Sequence, residues 1–205
     1  MIYSENLHKN RKLEIEMTKE LDDFKLSVER LSEDHTNKVF FNEGQKHAAI
    51  VLENILRSAK NTLCIYSGSL AAEVFDEKNL LSIFQDRINE GDLKIHVLVD
   101  KFVEEDKKSD TYKFIQANKK IKIYQAPGAL RAMLKHIFKD EICHFTVADN
   151  SSYRLETNTK EFKAACNFND PVIGDRLAKI FRHYWAKAAK AAKITGVTSK
   201  NMFNI

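Results

Sequence analysis

The stretch EICHFTVADNSSYRLE, residues 141–156, decides how this chain folds. Two runs rich in β-formers, 142–148 and 152–155, flank Asp149 and Asn150, whose side chains suit a tight turn. A connection that short joins only antiparallel neighbours. The same stretch carries His144 and Asp149, the two candidate catalytic residues of the chain. Their odd separation puts the two side chains on opposite faces of a regular strand, which argues against a direct contact between them. A turn at 149–150 instead brings Arg154 and Glu156 close to His144 in register.

Upstream, NTLCIYSGS (61–69) has the β-branched and aromatic content of a buried strand ending at Ser67 and Gly68. LKIHVLVD (93–100) reads as a central strand ending on an acid, Asp100, and a third strand is expected over 121–124. Within the second, His96 shares a face with Lys94 and reads as an ordinary strand residue. Helices alternate with these strands. One over 43–60 turns Ala48, Leu52, Ile55, Leu56 and Ala59 to one side; another over 79–89 points Leu80, Ile83, Phe84 and Ile88 inward, with Gly91 as its C-cap. A short helix is expected over 111–118, and 102–110 reads as a charged loop or a frayed helix. Such alternation implies right-handed crossovers and parallel pairing, so the antiparallel hairpin makes the sheet mixed. The last helix, 171–193, has Asp170 as N-cap and Pro171 at its first position. Its stripe of Leu177, Ile180, Phe181, Tyr184, Trp185 and Ala188 reads as core.

At the amino end, Leu13, Met17, Leu21, Phe24, Val28 and Leu31 recur at intervals of four, four, three, four and three. That is the seam of an amphipathic helix, suited either to dimerisation or partner docking or to folding back on its own domain. Ser32 to Asn42 breaks the pattern and reads as a linker. The chain thus divides into an N-terminal helical extension (1–42), an α/β domain (43–195) and a C-terminal tail (196–205).

Apolar residues at 43% and charged residues at 30% of 205 describe a folded chain rather than a disordered one. Six glycines and two prolines are too few for a turn-rich β-barrel. Neither a long apolar run nor an apolar leader is present, so a cytoplasmic location without a transmembrane segment is expected. Cys64, Cys143 and Cys166 have apolar neighbours and no paired spacing, which points to buried thiols. The seven histidines offer no helical pair with an attendant acid, so no metal and no cofactor are expected. The net charge of +4 is unevenly spread. Residues 1–42 hold seven Lys or Arg against nine acids, whereas 171–205 hold seven against one. Arg176, Lys179, Arg182, Lys187, Lys190 and Lys193 recur opposite or beside the apolar stripe of the last helix, a pattern able to follow a phosphate backbone and equally that of a solvated helix face.

Three stretches, NTLCIYSG (61–68), FQDRINEGDLKIHVLVD (84–100) and ACNFNDPVIGDRLAKIFRHYW (165–185), together with the order of elements, resemble the phospholipase D-like superfamily. The resemblance covers about residues 43–188. It implies a phospholipase D-like mixed β-sheet flanked by helices, here with an N-terminal amphipathic helix. Active members carry a histidine, a lysine two residues on and an aspartate five residues after that. Aligned on Asp149, this chain has His144 at the lysine position and Ile142 at the position of the nucleophilic histidine. Isoleucine has no lone pair with which to attack phosphorus. Starting instead at His144 places Thr146 and Ser151 at the other two positions, and starting at His136 places Phe138 and Cys143. The resemblance also sets Asn167 at the family's asparagine, giving a candidate ligand pocket of His144, Arg154, Glu156 and Asn167. It implies a degenerate, single-motif member that binds nucleic acid or a partner protein and pairs as a homodimer. The alternative is a divergent phosphodiesterase or nuclease that uses His144.

Overall fold

The computed structural model describes residues 2–139 and 141–195. A seven-stranded mixed sheet forms its centre: β1 (Phe40–Asn42), β2 (Thr62–Ser67), β3 (Lys94–Val99), β4 (Lys122–Gln125), β5 (His144–Ala148), β6 (Ser152–Asn158) and β7 (Lys163–Asn167), in the order β1-β7-β6-β5-β2-β3-β4. The three strands linked by helical crossovers, β2, β3 and β4, pair in parallel. β5 runs against β2, and β6, β7 and β1 continue antiparallel to the far edge. The sheet therefore changes from parallel to antiparallel at β2, which has β3 on one side and β5, the first strand of the hairpin at Asp149 and Asn150, on the other. Both turn residues have positive φ, 48° and 61°, a backbone region that Asp and Asn tolerate better than most.

Helices cover both faces. On one lie α2 (Gln45–Ser58) and α4 (Lys78–Glu90), with the short α3 (Ala72–Phe75) and α5 (Asp110–Ala117), packed on Leu63, Ile65, Ile95, Val97 and Val99. On the other lie α6 (Gly128–Ile137) and α7 (Pro171–Thr195), packed on Cys64, Tyr66, Leu98, Phe145 and Val147. The alternation of each strand assigns its side chains to the two cores. Gly91 ends α4 in the left-handed conformation, φ 92°, and Asp170 Oδ1 accepts the N–H groups of Val172 and Ile173 at the start of α7. Gly174 matters for a different reason. A Cβ there would lie 2.5 Å from the Asn150 carbonyl oxygen, so the bare backbone lets α7 dock on the β5–β6 turn.

Helix α1 (Ile2–Glu33) packs its second half on α2. Val28 is buried, and Leu21, Phe24 and Leu31 are partly buried against α2, whereas Ile15 and Met17 are 62% and 70% exposed. The side chain of Leu13 and the expected tail 196–205 lie outside the described residues. Three elements differ from expectation. The supposed linker contains edge strand β1, whose Asn42 is buried, and β7 and α6 form in stretches for which no strand or helix was expected. Among the described residues no helix is long and apolar enough to cross a membrane.

Candidate functional site

Where the carboxyl ends of β2 and β3 meet the start of β5, a cleft of about 190 Å³ is lined by Ser67, Gly68, Glu73, His144, Arg154 and Glu156 with apolar neighbours. Register explains the assembly. His144 pairs with Glu156 and Thr146 with Arg154, so alternation puts all four on one face. Asp100, the acid immediately after β3, closes the group from the other side of β2.

His144 is held between two carboxylates. Its Nδ1 lies 3.3 Å from Glu156 Oε2, and its Nε2 lies 3.8 Å from Asp100 Oδ2, outside hydrogen-bond length but well within the reach of charge. The ring packs edge-on to Tyr66 and over Gly68, where a Cβ would come within 3.1 Å of His144 Cε1. Each carboxylate has further support. Tyr66 donates its hydroxyl to Asp100 Oδ1 at 2.6 Å, and Arg131 lies 3.8 Å from Asp100 Oδ2. Arg154 donates through Nη2 to Glu156 Oε1 at 3.0 Å and to the Phe162 carbonyl at 2.9 Å, and through Nε to Asn42 Oδ1 at 3.0 Å. The guanidinium is thus tied into the protein rather than free for a ligand.

Burial opposes charge on every member, and in each case the partners outweigh it. Burial pulls the His144 pKa down, but Asp100 and Glu156 raise it above its ordinary value. Burial pushes Asp100 and Glu156 up, but His144 with Tyr66 and Arg131 in one case, and with Arg154 in the other, brings both below the usual carboxylate range. The cluster favours an imidazolium between two carboxylates. An imidazolium has no nitrogen lone pair, so it donates hydrogen bonds or a proton and does not attack phosphorus. The three cysteines take no part: burial pushes each thiol up to about 12.

Asp149 stands at the far end of β5 from His144, about 17 Å along the strand at roughly 3.4 Å per residue. Its Oδ1 accepts the N–H groups of Asn61 and Thr62 at 2.8 and 2.9 Å, and its Oδ2 that of Lys60 at 2.6 Å. Asp149 fastens the hairpin turn to the start of β2. Asn167, placed in the ligand pocket on sequence grounds, is not there. It pairs with Tyr153, three residues along from the Glu156–Ala164 pair and on the opposite face. Its Nδ2 donates to Asn37 Oδ1, and its Oδ1 accepts the Asn169 N–H. Asp100 was legible as a strand-end acid; Tyr66 and Asn42, on separate strands, had no local signal tying them to His144. Among the described residues no group of three or more His, Cys, Asp or Glu is arranged to hold a metal.

The cationic residues of α7 form a second feature. Arg176, Lys179, Arg182, Lys187, Lys190 and Lys193 are all exposed, within an arc of about 140° centred opposite the buried Leu177, Phe181, Tyr184 and Ala188. From Arg176 to Lys193 the row runs about 26 Å. Asp175, the only acid in the helix, pairs with Lys179 at 2.6 Å and lies 3.7 Å from Arg182, which also donates to Asn150 Oδ1. Lys187 rests over the Tyr184 ring.

Several solved structures resemble this arrangement in part. TrmBL2, an archaeal chromatin protein described as showing a novel mode of DNA binding, is 15% identical, with 90% of this chain and 66% of that one covered at a TM-score of 0.49. NucT from Helicobacter pylori is 11% identical over 76% of this chain and 97% of that one, TM-score 0.49. Phosphatidylserine synthase of Haemophilus influenzae Rd KW20 is 11% identical over 74% and 40%, TM-score 0.43. No curated protein sequence matches significantly. A family model described as Domain of unknown function (DUF7931) matches residues 44–195, from the glycine before α2 to the last residue of α7, and the chain belongs to that family.

Proposed function

We propose that this protein is a non-catalytic, phospholipase D-like binding module that engages nucleic acid through the outer face of α7. The observation that carries the reading is the row of six exposed cations with a single acid among them. A surface of this kind binds a phosphate polymer without reading its sequence, by displacing condensed counterions. The His144 cluster supports the non-catalytic half. Ile142 and His144 stand where the superfamily's histidine and lysine are expected, and His144 is flanked by two carboxylates that repel an incoming phosphate.

The test is affinity for a labelled single-stranded oligonucleotide as a function of salt. With four to six phosphates engaged, log K falls against log[salt] with a slope of roughly −3 to −4. The triple variant Lys187→Ala, Lys190→Ala, Lys193→Ala reduces that slope by about 2. Binding that is indifferent to salt, or absent at low salt, refutes the interface. The competing phosphodiesterase reading draws on the cleft beside His144, and turnover of a generic phosphodiester that disappears in His144→Ala would establish it and end the non-catalytic one. The same proposal has the chain pairing through the exposed Ile15 and Met17 of α1. Its solution mass should fall to that of a monomer in Ile15→Glu, Met17→Glu; a monomeric parent protein rejects the pairing.

A further inference from the structure

At the amino ends of β3 and β4, on the α7 side of the sheet and remote from the His144 cleft, lies a second pocket of about 240 Å³. Its polar lining comes from Lys94, His96, Lys120 and Lys122, with Trp185 of α7 beside them and no acid in the wall. Register builds the group. His96 and Lys122 are paired across β3 and β4, and Lys94 lies two residues before His96 on the same face. The three lysines are exposed and Trp185 is half-buried. No ion pair engages Lys94 or Lys122 among the described residues, and Lys120 Nζ reaches only the Ile88 carbonyl at 3.3 Å. Burial, then Lys122 and Lys94, lowers the His96 pKa, which leaves that ring neutral.

Trp185 is fixed in advance. Phe181 backs it in an offset stack with ring planes 20° apart, and His96 and Tyr124 hold it at tilted contacts of 4.6 and 4.7 Å between centroids. Arg182, one turn earlier in α7, acts electrostatically on Cys64, the β2 residue paired with His96. Arg182 and Lys187 stand on either side of Trp185 along α7, so the cationic row and the pocket share that helix. An aromatic flanked by unpaired ammonium groups is the combination that holds an unstacked nucleobase and its phosphates.

We infer that this pocket is a subsite for one nucleotide of a single strand, its base against Trp185 and its phosphates on Lys94 and Lys122. The inference rests on the nucleic-acid reading of α7 and names the strand form that reading takes. Trp185 is the sole tryptophan in the chain, so its fluorescence reports on this pocket alone.

The full-length protein is titrated with a thymidine decamer, an abasic strand of the same length and a thymine–adenine duplex, following both fluorescence and affinity. The decamer should quench Trp185 and bind roughly five-fold or more tightly than the abasic strand, the low end of one base–aromatic stack. The duplex should leave the fluorescence unchanged. Lys94→Ala, Lys122→Ala, exposed positions that should not shift the urea midpoint, should weaken decamer binding about five-fold or more and remove the quench. Salt-sensitive decamer binding with no quench, or unaffected by this double variant, overturns the subsite and leaves the α7 interface standing. Equal binding and quenching by the abasic strand overturns the base contact. Failure of all three nucleic acids to bind at low salt overturns the α7 reading and the subsite together.

Discussion

Replacing His144 with glutamine tests whether the ionic cluster holds the domain together as its geometry requires. The native ring sits 3.3 Å from Glu156 and 3.8 Å from Asp100 and is raised in pKa above the ordinary 6.5. Its contribution to stability is therefore complete below pH 6.5 and is lost as pH rises through the raised value. Asp100 and Glu156 behave in the opposite sense: held below their ordinary 3.8 and 4.5, they contribute fully above those values and lose it as pH falls through the depressed ones. The cluster is thus most stabilising between about pH 4.5 and 6.5. Stranding a buried charge costs about 3–5 kcal/mol, but here Asp100 keeps Tyr66 and Arg131 and Glu156 keeps Arg154. The expected loss in His144→Gln at pH 6 is therefore about 2–3 kcal/mol, or roughly 1 M in urea midpoint. His47 and His96, lowered chiefly by burial, tilt stability the other way with pH, so the difference between the two proteins is what isolates His144. Urea unfolding at half-unit steps from pH 5 to 8.5 should show a gap that narrows as pH rises. A gap of constant size, or none at pH 6, refutes the imidazolium assignment.

Asp149→Ala should destabilise the protein by about 2 kcal/mol, because the Thr62 N–H loses its acceptor and alanine is strained at φ 48°; an unchanged urea midpoint would remove Asp149 from its fastening role. Gly174→Ala gains about 1 kcal/mol of helix propensity but drives a Cβ to 2.5 Å from the Asn150 carbonyl oxygen. Backbone on the far side cannot rotate away, so overpacking near the upper end of about 1–3 kcal/mol wins, and thermal unfolding should shift downward; a more stable variant would refute the close approach.

The elements legible in the sequence are those whose signals are local. β2, β3 and α7 carry continuous apolar runs or stripes, and Gly91 and Asp170 close or open their helices by short-range hydrogen bonds and backbone geometry. β1 and β7 are three and five residues long, too short for period-2 alternation to stand out, and β1 gains its hydrogen bonds from β7, a strand distant in sequence. α6 was hidden by Pro127 and Gly128, which mark a turn and a helix start equally well. The candidate site follows the same division. The hairpin alone relates His144 to Glu156 and Arg154, because the three-residue turn 149–151 fixes the register. Asp100 and Asn42 reach the cluster only through the strand order, 44 and 112 positions away from His144 and Arg154, and periodicity carries nothing at that range. Asn167 lies outside the cluster for the converse reason: its likeness of neighbours to a motif said nothing about which face of the sheet it occupies.

Charge is disposed differently at the two ends of the sheet, and that difference bears on where a ligand can act. In open α/β sheets, ligands ordinarily sit beyond the carboxyl ends of the parallel strands. Here that end is filled by Asp100, His144, Glu156 and Arg154, whose charges are already paired with one another. A phosphate entering there would have to compete with two carboxylates for one imidazolium, and every partner it displaced would be left buried and unpaired. At the amino ends, Lys94 and Lys122 have no such partners, and α7 adds its row of cations alongside. Binding a polyanion at that end releases counterions and breaks few internal contacts, so electrostatics favour it over the cleft. Separation of the two ends also makes the proposals independent: substitutions at His144 should change stability and its pH dependence without changing the salt slope, and substitutions in α7 should do the reverse.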